Sequence, residues 1–266
     1  MQPERWQARF IQGNMAMDEG LGLALGDQWA LAAPELFRWS TRRHHWHFFR
    51  PDLPNGAQVG ATHLSMAYLW QGLQQALAQP QPPLDTWLYL GGLAHLLEDV
   101  SVPAHVIPVY HGPAAVRFAE QGQFAELVPE HLSFWQFVDD PVDQLPVQLP
   151  PPAATNCDQS FARTANELRQ QLALDTLQAL QQPIPQCPGV RWQAFYHAPQ
   201  PGHYFGRYAQ SPPLLFDQAA QWVQANGERC QLQANDARYR AFVQQRHQQA
   251  VQATFELMGW YLRGRK

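Results

Sequence analysis

One short stretch near the middle of the chain combines two histidines and an aspartate at a spacing that restricts both the fold and the chemistry. It reads His95-Leu-Leu-Glu-Asp99-Val-Ser-Val-Pro-Ala-His105. On an α-helix, side chains four residues apart project from the same face, so His95 and Asp99 can bind one ion. Pro103 predicts the end of that helix, with His105 in the following turn. Imidazole and carboxylate groups are typical zinc ligands, whereas the simpler interpretation is a core histidine beside a capping aspartate.

The segment that carries this motif is apolar on nearly all sides. From Leu84 to Val100 the pattern predicts a central, buried helix. A buried carboxylate on such a helix needs a partner, and a metal ion is a suitable one. Gly91 and Gly92 lie just before His95, and each costs about 1 kcal/mol relative to alanine inside a helix. They indicate either close packing against another helix or space for a ligand.

Helical periodicity and capping signals recur along the rest of the chain, and we find no pattern that predicts a sheet. We therefore expect an all-α fold, a compact multi-helix bundle in a single domain that spans residues 1–266. The predicted helices cover 18–33, 62–78, 84–100, 114–126, a segment from Pro129, 158–182, 213–225 and 235–262. An aromatic, proline-punctuated loop is expected over 183–208.

Three segments share a pattern of histidines and acids. The first is Gly-Gly-Leu-Ala-His95, continued through Asp99 to Ser-Val-Pro-Ala-His105. The second is Arg43-His-His-Trp-His47-Phe-Phe-Arg-Pro-Asp52, with Glu35 twelve residues before His47. The third is Glu130-His131-Leu-Ser-Phe-Trp-Gln-Phe-Val-Asp139. Together they resemble the zinc-dependent phospholipase C/P1 nuclease superfamily, which implies an all-helical enzyme of that type with a zinc cluster in a cleft.

The resemblance implies ligands for two zinc ions. The first ion would be held by Glu35, His47, His95 and Asp99. The second would be held by His105 and His131, with a water, Glu130 or Asp139 completing the shell. The catalytic residues implied are Glu35, as a general base, and Asp99, whose counterpart in the family bridges a zinc pair.

Two departures from the family pattern lower the expected number of ions. Trp135 occupies the position where the family carries a glutamate, and an indole nitrogen cannot ligate zinc because it is only a donor. The chain also has no histidine before His44, so the family's amino-terminal ligands are missing. We therefore expect one or two Zn²⁺ ions instead of the family's three.

The resemblance implies hydrolysis of a phosphodiester by zinc-activated water. We expect a phospholipase C-like hydrolase of glycerophospholipids, with transient contact to a membrane surface. The net charge of −4 offers no basic surface for a nucleic acid, so a P1-like single-strand nuclease is the less favoured alternative. Aromatic residues over 196–208 would favour the nuclease if they formed a base-stacking pocket. A catalytically impaired helical domain that binds metal is the third alternative.

Features that bear on location are few. The N-terminal sequence has no basic segment followed by an apolar one, so no secretory signal is visible. No run of about 18 apolar residues predicts a transmembrane helix. We expect either a cytoplasmic protein or a secreted one whose signal is absent from this sequence. Cys157, Cys187 and Cys230 are too few for a disulfide framework, and we expect free buried thiols in preference to one bridge with a leftover thiol.

Overall fold

The computed structural model describes residues 3–19, 47–52, 66–78, 83–109, 164–200, 206–209, 221–233 and 236–264. These residues are mostly helical, and they also contain three two-stranded antiparallel sheets in the C-terminal half of the chain. The predicted all-α fold is therefore correct for the dominant type of element and wrong in allowing no strands. The extent of the predicted single domain stays a prediction.

The described part of the chain contains six helices: α1 (Pro3–Glu19), α2 (Met66–Ala78), α3 (Pro83–Ser101), α4 (Pro103–Val106), α5 (Ala165–Leu180) and α6 (Ala237–Gly264). Four of them, α2, α3, α5 and α6, lie within predicted helices, apart from small differences at their ends. Helix α1 was not predicted. The predicted helices over 114–126 and from Pro129 lie outside the described residues.

Helix α5 begins later than the sequence pattern suggested, at a well-formed cap. The Thr164 side chain accepts a hydrogen bond from the backbone N–H of Glu167, and the Glu167 carboxylate accepts one from the backbone N–H of Thr164. This reciprocal capping box satisfies two backbone donors that the first turn of a helix leaves without partners. The residues before Thr164, where the start was predicted, are not described.

Helix α3, which carries the motif, lies at the centre of the helical core and contacts α1, α2, α5 and α6. Its residues Leu90, Leu93 and Leu97 are completely buried, as the apolar character of the segment predicts. Polar links tie it to its neighbours as well. The Thr176 hydroxyl of α5 donates to the carbonyl of Val100 over 2.8 Å. A functional group on α3 is therefore held by an element that packs against four other helices.

Glycines let α1 and α3 approach each other at backbone distance. A Cβ atom on Gly91 would collide with the carbonyl oxygen of Phe10 in α1, and one on Gly13 would collide with that of Leu88 in α3. Of the two interpretations of the glycines before His95, close helix packing is the one that applies to Gly91. The loss of helix propensity there is offset by packing between the two backbones.

The strands form three antiparallel pairs: β1 (Pro183–Ile184) with β2 (Cys187–Arg191), β3 (Tyr196–His197) with β4 (Arg207–Tyr208), and β5 (Gln221–Ala225) with β6 (Glu228–Leu232). The predicted helix over 213–225 is wrong for its last five residues, which form β5. Asn226 and Gly227 both have positive φ, 51° and 79°, in the turn between β5 and β6. An Asn-Gly pair in this conformation favours a two-residue hairpin, a local signal that outweighs the weak helical pattern before it.

A disulfide joins two of these strand pairs. Cys187 of β2 is bonded to Cys230 of β6, with 5.6 Å between their Cα atoms. The expectation of free thiols is therefore wrong for these two residues, whereas Cys157 lies outside the described residues. The two cysteines are 43 residues apart, so spacing carried no signal for the bridge. They meet because β2 packs beside the β5–β6 hairpin.

Candidate metal centre

Two of the predicted ligands project from the same buried face of α3. His95 and Asp99 are 7% and 5% exposed, and the His95 Nε2 atom lies 3.6 Å from Asp99 Oδ2. Their spacing of four residues puts them one helical turn apart on this face. Both side chains are shielded from solvent, so the carboxylate depends on protein groups or a bound ion for its stabilisation.

The third predicted ligand, His47, comes from a segment that is distant in sequence. His47 is 8% exposed, and its Nδ1 atom lies 3.1 Å from Asp99 Oδ1 and 3.0 Å from Oδ2. Two links hold its segment against the helical core. The backbone N–H of Phe49 donates to the carbonyl of His105 over 2.9 Å, and the Gln170 side chain donates to the carbonyl of Pro51 over 2.8 Å.

The three side chains offer donor atoms at separations that suit one zinc ion. His47 Nδ1, His95 Nε2 and Asp99 Oδ2 are 3.0, 3.3 and 3.6 Å apart. Ligands at about 2.0–2.1 Å from a tetrahedral zinc ion are separated from one another by about 3.3–3.4 Å. The observed separations bracket that value. This buried His-His-Asp group can hold a metal ion.

His105 contacts the same aspartate from the other side of the turn. It lies in α4, a single turn that begins at Pro103, and is 4% exposed. Its Nδ1 atom is 3.1 Å from Asp99 Oδ1 and 3.2 Å from the backbone carbonyl of Asp99. Phe48 packs its ring edge-on against the imidazole, with 5.4 Å between centroids. His105 therefore fixes the orientation of the carboxylate that His47 and His95 share.

The electrostatic environment keeps Asp99 ionised. Burial alone would raise the pKa of its carboxyl group. The positive charge available on His47, His95 and His105 outweighs that effect and holds the pKa well below its ordinary value. Metals bind carboxylates in their deprotonated form, so the group is in the state that a metal ligand requires.

The remaining predicted site residues lie outside the described residues. They are Glu35, His131, Glu130 and Asp139, together with Trp135 at the position of the family glutamate. Their assignment to the first and second ions stays a prediction. Glu98, the neighbour of Asp99, accepts a hydrogen bond from the Asn14 side chain of α1 over 2.8 Å. This contact engages the Glu98 side chain with α1.

Supporting residues on α5 were not predicted. Gln170 holds the segment that carries His47, and Thr176 holds the end of α3. For Thr176 the sequence did contain a signal, because it lies four residues from both Leu172 and Leu180 on the buried face of α5. A polar residue in such a stripe requires a hydrogen-bond partner elsewhere in the core. Gln170 carries no comparable signal.

Comparisons with protein-family models, curated proteins and solved structures found no match to this chain. The case for a metal site therefore rests on the geometry of His47, His95 and Asp99 and on the resemblance of the motifs that contain them. None of the helices in the described part of the chain is both long and apolar enough to cross a membrane.

Proposed function

We propose that the protein is a zinc-dependent phosphodiester hydrolase of the phospholipase C type, acting on glycerophospholipids. The observation that carries the proposal is the convergence of His47, His95 and Asp99 on one buried point. These residues come from two of the three motifs that resemble the zinc-dependent phospholipase C/P1 nuclease superfamily. The resemblance assigns all three to the same ion, and their donor atoms lie within 4.8 Å of one another.

The donor set favours zinc over other common divalent cations. Mg²⁺ and Ca²⁺ prefer shells built from oxygen atoms, whereas two imidazole nitrogens and one carboxylate oxygen suit Zn²⁺. Three protein ligands also leave a position for water or for a fourth side chain, which by resemblance is Glu35. A bound zinc ion would act as a Lewis acid that lowers the pKa of a coordinated water. Its positive charge would also stabilise negative charge on the phosphoryl oxygens.

The chain's own residues have separate tasks in this proposal. Asp99 stays ionised, and His105 keeps it aligned with the two other ligands. Burial of His47 and His95 limits access of bulk water, which strengthens electrostatic interactions at the reacting phosphate. By resemblance, Glu35 accepts the proton of the attacking water as a general base. His105 and His131 are the proposed ligands of a second ion.

Two observations favour a phospholipid over a single-stranded nucleic acid. The net charge of −4 does not favour the approach of a polyanion, although bound zinc ions would add local positive charge. Tyr196, which belongs to the predicted aromatic loop, is only 4% exposed. Its ring is therefore not available as a stacking platform for bases. A glycerophospholipid substrate also implies transient contact with a membrane surface.

The test measures metal content and hydrolysis on the same preparations. We expect one or two zinc ions per chain and release of phosphorylcholine from phosphatidylcholine vesicles. A chelator should abolish the release and added zinc should restore it. Asp99→Asn is the matched variant, because it keeps the shape of the side chain and removes its charge. It should lose both zinc and activity.

Other outcomes would replace the proposal with a specific alternative. Cleavage of single-stranded DNA without turnover of phospholipid would identify a P1-like nuclease. Zinc bound stoichiometrically, without turnover of either substrate or of a chromogenic phosphodiester, would identify a metal-binding domain that has lost catalysis. Absence of zinc from the wild-type protein at micromolar free zinc would overturn the metal centre itself.

A further inference from the structure

A surface groove lies between α2 and α5 and is separate from the His47–His95–Asp99 group. The two helices border an open groove of about 1020 Å³, with Phe49 and Trp70 among its apolar walls. Glutamine side chains supply much of its polar lining: Gln71, Gln74 and Gln75 from α2, and Gln170 and Gln171 from α5. We call this feature the α2–α5 groove. Its polar lining is rich in neutral amides, which suit hydroxyl and other uncharged polar groups.

Among the described residues that line this groove, the positive charge belongs to Arg169, which is only 9% exposed. Its guanidinium carbon lies 4.4 Å from the centre of the Phe49 ring and 4.8 Å from that of Trp70. The rings hold the planar group in one place through cation–π contacts. Trp70 is itself fixed, since its indole N–H donates to Asn166 over 2.7 Å. The guanidinium is therefore preorganised.

Two nitrogen atoms of this guanidinium make no hydrogen bond to a described residue. The Nε and Nη1 atoms of Arg169 are buried and have no hydrogen-bond partner among the residues that the structure describes. Burial lowers the pKa of the guanidinium to about 10, so it remains charged at neutral pH. Glu167, the acid that lines the same groove, is engaged in the capping box with Thr164. Buried charges in proteins are normally paired, because an unpaired one is strongly destabilising.

We propose that the α2–α5 groove binds the oxyanion of a small polar ligand, a phosphate or a carboxylate, through the guanidinium of Arg169. A planar guanidinium with unused N–H groups recognises such oxyanions in a fixed geometry. The glutamines along the groove would contact the uncharged, hydroxyl-bearing remainder of the ligand. This site is formed by residues other than the His47–His95–Asp99 group and does not depend on the proposed hydrolysis.

The test is a calorimetric titration of the full-length, zinc-loaded protein with inorganic phosphate and, separately, with succinate at constant ionic strength. We expect saturable binding of at least one of them. The ligand that binds more tightly identifies phosphate or carboxylate as the preferred group. Because a zinc site also attracts phosphate, His95→Ala is titrated in parallel, and binding in the groove should survive in it.

Arg169→Gln removes the charge and should weaken binding about tenfold or more, since it deletes charge-assisted hydrogen bonds. Arg246→Gln is the matched control, because Arg246 is also buried but does not line the groove. If Arg169→Gln fails to fold, Gln71→Glu adds a repelling charge at an exposed position of the groove and should weaken binding. Gln231→Glu, on strand β6, makes the same change in net charge elsewhere and should not.

Three results would overturn the proposal. One is the absence of saturable binding of both anions to the wild-type protein. Another is binding that disappears in His95→Ala, which would place the anion at the metal centre. The third is equal affinity in the wild type, in Arg169→Gln and in Gln71→Glu, which would leave Arg169 as a packing element stabilised by the two aromatic rings.

Discussion

Helix α3 and the strand pairs between 183 and 232 are held in place in different ways. Helix α3 is surrounded by other helices and approaches α1 at backbone distance through Gly91. The strand pairs are short, and two of the three are joined by a covalent bridge between Cys187 and Cys230. Packing therefore supports the element that carries His95 and Asp99, whereas the strands combine buried apolar contacts, such as those of Val190 and Leu232, with one covalent bridge. This difference predicts that the metal centre and the strand region respond to different perturbations.

The strand region also depends on one arginine. Arg238 of α6 donates to the carbonyls of Pro185 and Gln231, over 3.1 and 2.7 Å, and forms a two-point ion pair with Asp236. It thereby ties α6 to the turn between β1 and β2 and to β6. Trp192 stacks on Phe242 of α6 at 4.6 Å between ring centroids and adds an apolar contact. The region is thus anchored to α6 by these contacts, and its buried apolar side chains belong to the same hydrophobic core as those of the helices.

The largest expected effect concerns metal binding. Loss of a residue that merely hydrogen-bonds to a metal ligand lowers metal affinity by up to about 100-fold. His95→Ala removes a ligand itself, so zinc affinity should fall by more than that. His197→Ala is the control, since His197 is exposed on strand β3 in the other region. Zinc content after dialysis against a weak chelator measures both. Equal zinc content in the two variants would contradict the assignment of His95.

The second prediction removes the covalent cross-link. Replacing Cys187 and Cys230 with alanine should lower the free energy of unfolding by about 2–4 kcal/mol, because the bridge restricts a long loop in the unfolded chain. Zinc stoichiometry should stay at the wild-type value, since the bridge does not touch the metal group. Urea unfolding and elemental analysis test the two parts. Cys157→Ala serves as the control for replacing a cysteine. Loss of zinc from the double variant would show that the two regions are coupled.

The same difference explains what could be predicted from the sequence. Helix α3 was predictable because one continuous segment carries its apolar pattern and its ligand spacing. The contact between His47 and Asp99 was predictable only from the resemblance to the zinc-dependent superfamily. The two residues are 52 positions apart, and no local sequence pattern indicates that they meet. Strand β5 was assigned to a helix because five residues are too short for a clear period, although Asn226-Gly227 carried the hairpin signal.

Arg169 illustrates a further limit of sequence reasoning. It lies four residues after Ala165 and three before Leu172, both on the buried face of α5. That position indicates burial of the side chain. It does not indicate the surroundings, because Phe49 and Trp70 belong to segments about 100 residues away in sequence. Contacts of this kind arise from tertiary packing and produce no periodic pattern in the sequence.

The third prediction compares two neighbouring glycines of α3. Gly91→Ala should destabilise the protein by about 1–3 kcal/mol, because its Cβ would displace the backbone of α1. Gly92→Ala should change stability by less than about 1 kcal/mol, since the gain in helix propensity opposes a mild contact. The atoms nearest to an added Cβ there belong to the side chains of Leu73 and Met17, at 3.3 Å. Thermal unfolding measures both, and equal destabilisation would refute the close approach at Gly91.

The smallest expected effect concerns the ion pair that anchors α6 beside the strands. The Asp236 carboxylate accepts hydrogen bonds from Arg238, which lower its pKa to about 2. In the unfolded chain an aspartate has a pKa of about 3.9. The pair therefore contributes stability above about pH 4, and this contribution is lost as the pH falls towards about 2.

Asp236→Asn keeps a hydrogen-bond acceptor at the start of α6 and removes the charge. Its deficit in unfolding free energy, about 1 kcal/mol at neutral pH, should shrink as the pH falls, whereas a constant deficit would assign the effect to capping alone. Zinc release at low pH affects wild type and variant equally, so the difference between them isolates the anchor of the strand region from the metal centre on α3.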